Sequence, residues 1–402
     1  MSQFRWPGAL GTFALLAGVG STNANAQQIK TVFVIAMENH NWVQPANKFT
    51  GPIQQVFQNS SAPFINSLVN GSAFAVINGS PVHISEQVAW ATNYHNVLAT
   101  DGGNNPHIHP SEPNYLWAEA GTNFGVLNDN DPFRVPGGTN QNTDQHLSTL
   151  LTVAGHTWKS YQEDIDLAKN AANQLTNVPL PKDQWTVPLA SFSGVFAGGN
   201  VNDFDLSAQF NYAAKHNPML FFTDTNGGND SSPANPLSSH YAPLQQLFTD
   251  LAYDNVAEYN WITPNQYNDM HTGLTGGYKG LTGDSAKIKQ GDDFLKQIIP
   301  TIMASDAYKN HGVIIIWFDE SEQDAAGDNP DDLNHTIGEI VISSRAHANV
   351  DGLPYVSTVN FTHSSDLRTM QEIFHVGPLL GDAANAEDLS DLFKPGAVPK
   401  KP

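Results

Sequence analysis

The sequence predicts an α/β protein in which a mainly parallel sheet has helices on both faces. Short apolar runs rich in β-branched residues recur at wide spacing and do not alternate with polar residues. Such runs are typical of strands buried on both faces. Segments suited to helices lie between them, and this alternation favours a parallel sheet.

The predicted elements follow from these runs in chain order. The predicted strands are 31–37, 219–222, 256–263, 313–318 and 337–342. The predicted helices are 62–69, 144–154, 241–251, 292–304 and 364–374, and a shorter one covers 116–120. The polar stretches 128–142, 224–239 and 270–283 are predicted to be loops. No linker or internal repeat divides the chain, so residues 27–402 are expected to form one domain.

The N-terminus is predicted to be a signal peptide covering residues 1–26. Arg5 supplies a short basic start, residues 9–20 are apolar or small, and Ala24-Asn25-Ala26 matches a cleavage site. The apolar run is shorter than the ~20 residues that span a bilayer, which favours a signal over an anchor. We therefore expect an exported protein, either periplasmic or secreted.

The composition restricts the classes of partner. The net charge is −21, with 18 Lys and Arg against 39 Asp and Glu, so nucleic acid and stable membrane insertion are not expected. The chain has no cysteine, which excludes disulfides and thiolate–metal sites. Its 15 histidines are numerous enough to help an acidic protein bind a small phosphorylated substrate. The oligomeric state leaves no signal in the sequence.

Polar side chains follow two of the predicted strands directly. Glu38 and Asn39 come after the first strand, and Asp319 and Glu320 come after strand 313–318. The carboxyl ends of parallel strands form the ligand crevice of such sheets. Oxygen ligands in this arrangement predict a site for a hard divalent cation, although helix capping or exposure to water would also explain the acidic pair.

A serine precedes another predicted helix, within the segment His107-Ile108-His109-Pro110-Ser111-Glu112-Pro113-Asn114-Tyr115. The N-terminus of a helix attracts anions through its free N–H groups and its dipole. Ser111 is therefore a candidate nucleophile toward a phosphate, and metal coordination would activate it without an adjacent base. An ordinary helix N-cap is the alternative interpretation of Ser111.

The segment HPSEPNYLWAEAG resembles the HPSQPNY-type motif of secreted bacterial and fungal acid phosphatases. These enzymes belong to a phosphoesterase family that also contains bacterial phospholipases C and lies in the alkaline-phosphatase-like superfamily. Further segments resemble the family in the same order, from residue 32 to residue 374: FVIAMENHNW, GHTWKSYQEDI, WITPNQYNDMH, IIIWFDESEQD and THSSDLRTMQEIF.

The resemblance implies roles for individual residues. Ser111 would be both nucleophile and metal ligand, and the other metal ligands would be Glu38, Asn39, Asp319 and Glu320. His271 would take part in catalysis by contacting phosphate beside a single metal ion, or else join Asp269 at a second metal. The candidate substrate-binding residues are Asn39, His107, His109, Asn114, His271 and His363. Ca²⁺, Mg²⁺, Mn²⁺ and Zn²⁺ are not distinguished.

The expected reaction is metal-dependent hydrolysis of phosphate monoesters through a phosphoserine. Because an ordinary histidine has a pKa of about 6.5, a histidine-rich site predicts a mildly acidic optimum. The alternatives are a phosphodiesterase or phospholipase C of the same fold and, less favoured, a non-catalytic protein that binds phosphate or metal. No G-x-S-x-G elbow, H-E-x-x-H motif or P-loop occurs in the chain.

Overall fold

The computed structural model describes residues 28–43, 55–77, 79–98, 105–106, 108–322 and 336–399. The predicted signal peptide and His107 lie outside the described residues. No helix of the described part is both long enough and apolar enough to cross a bilayer.

Eight described strands form the central sheet. They are β1 (Thr31–Met37), β2 (Val88–Ala91), β3 (Trp158–Gln162), β4 (Tyr241–Pro243), β5 (Tyr259–Thr263), β6 (Gly312–Phe318), β7 (Glu339–Ser343) and β8 (Tyr355–Ser357). Their spatial order is β4-β3-β5-β1-β6-β7-β2-β8. All neighbours are parallel except at β7, which runs antiparallel to β6 and to β2. The predicted mainly parallel sheet is confirmed.

The described α-helices are α1 (Pro63–Val69), α2 (Ser111–Ala120), α3 (Leu147–Ala154), α4 (Thr223–Asn226), α5 (Gln245–Ala252), α6 (Asp284–Ala304), α7 (Asp306–Lys309) and α8 (His363–Ile373). Six short antiparallel or parallel pairs flank the sheet: Asn41–Val43 with Thr336–Ile337, Phe74–Ile77 with Ser80–His83, Tyr94–His95 with Phe361–Thr362, Val97–Leu98 with Asn105–Pro106, Leu167–Lys169 with Leu175–Pro179, and Phe192–Val195 with Gln209–Tyr212.

Helices cover both faces of the sheet at its centre. Met37 and Phe318 are paired in register, as are Ala36 and Trp317, so the two pairs point to opposite faces. Gly291 of α6 lies so close to Met37 that a Cβ atom there would meet the Met37 side chain at 2.8 Å. On the other face, Trp317 contacts Tyr115 of α2 and His363 of α8. This arrangement explains why β6 is buried along its whole length.

Two predicted elements were wrong. Residues 219–222 lie mostly in the 3₁₀ turn Pro218–Phe221 instead of a strand. Side chains satisfy the backbone of this turn, since Thr225 donates to the carbonyl of Met219 (2.6 Å) and Asn226 to that of Leu220 (2.7 Å). The predicted helix 241–251 begins only at Gln245, because Tyr241–Pro243 pairs with β3 as the edge strand β4. Proline at the end of an edge strand removes no hydrogen bond that the sheet needs.

Candidate active site

The predicted strand-end ligands of β1 and β6 meet at one edge of the sheet. Because β1 and β6 are neighbours, Glu38 and Asn39 emerge beside Asp319 and Glu320. The backbone of Asn39 has φ 37°, a left-handed conformation that Asn tolerates better than most residues. In this turn the Asn39 N–H donates to Asp319 Oδ1 at 3.0 Å, which ties the two strand ends together.

Ser111 is the first residue of α2 and is only 1% exposed. Its hydroxyl lies 3.2 Å from Glu38 Oε2 and 3.4 Å from Glu320 Oε1. Pro110 occupies the N-cap position, and no side chain caps the helix. Ser111 is therefore not an N-cap: its side chain is directed at the strand-end carboxylates, where the positive end of the helix dipole lies.

Neighbouring side chains hold these carboxylates in place. Asn114 Nδ2 donates to Glu320 Oε2 at 3.3 Å, and His109 Nδ1 lies 2.9 Å from the same oxygen. The Tyr115 hydroxyl donates to Glu38 Oε1 through a short hydrogen bond. Because Asn114 and Tyr115 share the first turns of α2 with Ser111, one helix positions both the serine and the acids around it.

His216 is a site residue that the sequence analysis did not identify. Its Nε2 is 3.2 Å from Glu38 Oε1 and its Nδ1 is 3.2 Å from Asp269 Oδ2. Neither ring nitrogen makes a hydrogen bond of acceptable geometry to a described residue. Glu38, His216 and Asp269 are all buried, and their ligand atoms lie within 4.8 Å of one another, so this group could hold a metal ion.

The electrostatics of the site favour a cation. Burial, and the charges of Asp319 and Asp269, raise the pKa of Glu38 well above its usual value. Burial also raises the pKa of Asp269, and burial together with Glu320 raises that of Asp319. The buried oxygens without a hydrogen-bond partner in the described structure include Asn39 Oδ1, Asp269 Oδ2 and Asp319 Oδ2. A bound cation would satisfy these oxygens and relieve the repulsion, so the residues present fit a hard divalent metal.

His271 lies beside this group, but its ring nitrogens have other partners. Lys215 Nζ lies 3.4 Å from His271 Nε2, and Thr272 Oγ1 lies 2.9 Å from Nδ1. An ammonium group can only donate, so Nε2 is the acceptor and Nδ1 carries the proton. Burial and the charge of Lys215 lower the pKa of His271 to about 3. The contacts and the lowered pKa both favour a neutral ring for His271 in this arrangement.

His363 lies beneath the site rather than in it. Its Nε2 is 2.6 Å from the Asp319 carbonyl oxygen, and Trp317 Nε1 is 3.0 Å from its Nδ1. The indole N–H can only donate and the carbonyl can only accept, so the His363 proton must be on Nε2. Burial lowers the pKa of His363 to about 3. Both nitrogens are thus engaged by the protein, and the ring supports the strand end that carries Asp319.

The sequence signal for His216 and Lys215 was weak for a clear reason. The search for ligands followed the carboxyl ends of strands, whereas these residues belong to the 3₁₀ turn Ala214–His216. The apolar run that follows was itself assigned to a strand, which would have put this turn at the wrong edge of the sheet. Only the adjacent pair Lys215 and His216, just ahead of Asn217-Pro218, marks the position in the sequence.

Comparisons with known proteins show which proteins this chain is similar to. A probable acid phosphatase of Kluyveromyces lactis is 25% identical over 214 residues, which cover 53% of this chain and 38% of that protein. A phosphatidylinositol-3-phosphatase of Mycobacterium tuberculosis is 24% identical over 339 residues, which cover 84% of this chain and 78% of that protein. The chain thus spans well under half of the yeast relative's length.

Among solved structures, a protein in the alkaline phosphatase superfamily from Vibrio parahaemolyticus is 11% identical, with a TM-score of 0.48 over 91% of this chain and 71% of that one. The model of one family, described as the Phosphoesterase family, matches residues 22–377 and so includes both strand ends, Ser111 and His216. The resemblance seen in the motifs is therefore confirmed: this chain belongs to the phosphoesterase family.

Proposed function

We propose that this chain hydrolyses phosphate monoesters through nucleophilic attack by Ser111. The observation that carries the proposal is the position of the Ser111 hydroxyl, buried at the N-terminus of α2 and within 3.4 Å of carboxylates from two strand ends. Serine at this position faces the positive end of the helix, where a phosphoryl group is favoured. The relatives reported above support monoesters, because their names are those of phosphatases.

In the proposed reaction, Ser111 Oγ bonds to phosphorus while the bond from phosphorus to the ester oxygen breaks. Ser111 loses its hydroxyl proton, the leaving alkoxide takes up one proton to become the alcohol, and Ser111 remains as phosphoserine. Water then attacks phosphorus and the bond to Ser111 Oγ breaks; one proton of the water restores the serine hydroxyl, and inorganic phosphate is released. Glu38 and Glu320 accept hydrogen bonds from the serine hydroxyl and so direct its oxygen toward the substrate.

A divalent metal ion is part of this proposal. The residues that would hold it are Glu38, Asn39, Ser111, Asp319 and Glu320, with Glu38, His216 and Asp269 as the group suited to a second ion. When bound, the ion supplies positive charge for the transferring phosphoryl group and lowers the pKa of the serine hydroxyl. The second group contains His216, whereas the sequence offered His271 with Asp269 only as the alternative to a single metal ion. The ring of His271 contacts Lys215 and Thr272 instead.

The remaining predicted residues are proposed to act around this centre. His109 and Asn114 position Glu320, and Asn39 presents its amide oxygen toward the crevice. His107 is retained as a candidate substrate-binding residue on the strength of the motif alone. Export through residues 1–26 likewise remains a prediction from the sequence.

The proposal is tested by following a monoester and a diester side by side. The full chain, stripped with a chelator and reloaded with Mg²⁺, Mn²⁺, Ca²⁺ or Zn²⁺, is assayed with p-nitrophenyl phosphate and bis(p-nitrophenyl) phosphate. Acid-quenched enzyme is then digested and the Ser111 peptide examined by mass spectrometry. We expect metal-dependent monoester turnover and a phosphorylated Ser111 peptide. Diester turnover alone would indicate the phosphodiesterase alternative, and turnover without metal or without phosphoserine would refute the mechanism.

A further inference from the structure

Lys215 lies beside the start of helix α2. Its Nζ donates to Asp129 Oδ2 at 2.9 Å. The other oxygen of Asp129 accepts the backbone N–H of Glu112, the residue after Ser111, at 3.1 Å. One carboxylate therefore connects the ammonium group to the first turn of the helix that carries Ser111. The next residue, His216, lies 3.2 Å from Glu38, which also contacts Ser111. The side chain of Lys215 and the backbone that carries it are therefore both tied to groups that surround the nucleophile.

A phosphate monoester must overcome the charge of this site. Such a group carries about two negative charges near neutral pH, and it would approach the carboxylates of Glu38, Asp319 and Glu320. The ring nitrogens of His271 contact Lys215 and Thr272, and those of His216 face Glu38 and Asp269. Neither ring is therefore directed at a phosphoryl group, and the positive charge that contacts it is expected from another residue type.

The charges of Lys215 and Lys287 both act on His271, but the two lysines differ in their contacts and exposure. Lys287 pairs with Asp284 of its own helix at 3.3 Å, and a quarter of its side chain is exposed. Lys215 is bound between Asp129 and His271, with 13% of its side chain exposed. An ammonium group has three N–H donors, and those two contacts use two of them. Among the described residues no third acceptor contacts Lys215 Nζ.

Lys215 Nζ is fixed by its contacts with Asp129 and His271, and 13% of its side chain is exposed. It is a fixed, partly accessible ammonium group beside the N-terminus of the helix that carries Ser111. An ion pair that only anchored the loop at Asp129 would not require the second contact to His271.

We propose that Lys215 is a substrate-binding residue whose ammonium group contacts the non-bridging oxygens of the phosphoryl group, with Asp129 as the residue that positions it. This inference rests on the proposed function and adds the residue that recognises the charge of the substrate. A compact ammonium group favours a terminal phosphate with two charges over a diester with one.

The test compares Lys215→Met and Lys215→Arg with Lys287→Met, a control that removes a nearby lysine from outside the proposed contacts. For each metal-loaded full-length variant, the Kd of inorganic phosphate is measured by calorimetry, and kcat and KM are measured on the monoester. We expect Lys215→Met to weaken phosphate binding at least tenfold and to raise KM. Lys215→Arg should recover most of the affinity, and Lys287→Met should stay within twofold of the wild type.

Phosphate binding by Lys215→Met within twofold of the wild type, at unchanged metal content, would overturn the inference. If Lys215→Met does not fold, Asp129→Asn decides, because it keeps the lysine and removes its anchor. We expect that variant to bind phosphate about threefold more weakly, and an unchanged Kd would again contradict the inference. Lys215-dependent phosphate binding by a wild-type protein that cleaves no ester would refute the proposed function and leave this inference standing.

Discussion

The buried acids at the two ends of helix α2 differ in whether the protein itself supplies their hydrogen-bond partners. At its start, Ser111 faces Glu38 and Glu320, and nearby buried oxygens of Asn39 and Asp319 have no partner in the described structure. Near its end, Glu119 is equally buried, yet both of its oxygens are bound. Glu119 Oε2 accepts the Ser148 N–H and lies 3.0 Å from His146 Nδ1, and Oε1 accepts the Ser148 hydroxyl at 2.9 Å.

The cation at this end is His146, which is fully buried and stacked on Phe222. Its second nitrogen lies 2.9 Å from Asp224 Oδ1, so one ring joins α2, α3 and α4. Burial alone would lower the pKa of His146, but its hydrogen bonds to Asp224 and Glu119 raise it to about 9. The protein thus neutralises Glu119 by itself. The acids near Ser111 are not neutralised in this way, and the buried group Glu38, His216 and Asp269 could instead hold a metal ion.

The largest expected effect is a difference in kcat between alanine variants of two serines, Ser111 and Ser148, each of which contacts a buried glutamate. Ser111→Ala should lower kcat on the monoester at least about a thousandfold, because it removes the nucleophile, with little change in the free energy of unfolding. Ser148→Ala should cost about 1 kcal/mol of stability and leave kcat nearly unchanged. Steady-state kinetics and urea unfolding of both variants measure the contrast. An equal loss of kcat in the Ser111→Ala and Ser148→Ala variants would contradict a catalytic role that is confined to the Ser111 end of the helix.

The second prediction concerns metal binding. Asp319→Asn should weaken metal affinity by about a hundredfold, since it removes a proposed ligand. It should also stabilise the metal-free protein at pH 7, because one charge leaves a group of buried acids whose pKa values are raised. Glu119→Gln should instead destabilise the protein, because it leaves the charge of His146 without one of its partners. Thermal unfolding with chelator and with added metal distinguishes these outcomes.

The stability difference between the wild type and Asp319→Asn depends on pH, and this dependence tests the direction of the Asp319 pKa shift. A raised pKa in the folded state means that the Asp319 penalty is present at neutral pH and disappears as pH falls toward the unfolded value. The stability difference between the metal-free wild type and Asp319→Asn should therefore shrink on acidification from pH 7. A difference that grows instead would contradict the raised pKa of Asp319.

The third prediction concerns His146. Its folded-state pKa of about 9 exceeds the ordinary value of 6.5, so its stabilisation is complete below pH 6.5 and is lost as pH rises through 9. We expect the free energy of unfolding to fall by about 3 kcal/mol over this range, at about 1.4 kcal/mol for each unit of the pKa shift. In His146→Gln this pH dependence should be absent. Urea unfolding at several pH values checks it, and parallel curves for the two proteins would exclude a charged His146.

The smallest effect is expected at His363, beneath the site. Gln at this position can still donate to the Asp319 carbonyl, but it does not fill the space of the ring against Trp317. His363→Gln should lower metal affinity about tenfold, and His363→Ala by more, with a smaller change in KM than in metal affinity. Metal titration followed by calorimetry measures this. A rise in KM at full metal occupancy would indicate direct contact with substrate instead.

Part of this molecule follows from the sequence because the signal is local. The apolar runs of β1 and β6 end at the predicted residues, and the polar residues that follow them belong to neighbouring strands, so Glu38 and Asp319 meet as expected. Strands at or next to the edges of the sheet gave no such signal. Val88–Ala91 and Tyr355–Ser357 are too short to stand out, and Tyr241–Pro243 is bounded by a helix whose pattern obscured it.

The sequence by itself determined the α/β class, the strand-end acids and the serine at the start of α2, since each depends on residues adjacent in the chain. Only the tertiary structure decided which cations and histidines join them. His216 and Lys215 reach the site from a 3₁₀ turn about a hundred residues beyond Ser111. Likewise, burial makes His271 neutral, whereas the hydrogen bonds of His146 to Asp224 and Glu119 outweigh burial and keep His146 charged. A residue type fixes which charges are possible, whereas its surroundings in the fold determine which charge it carries.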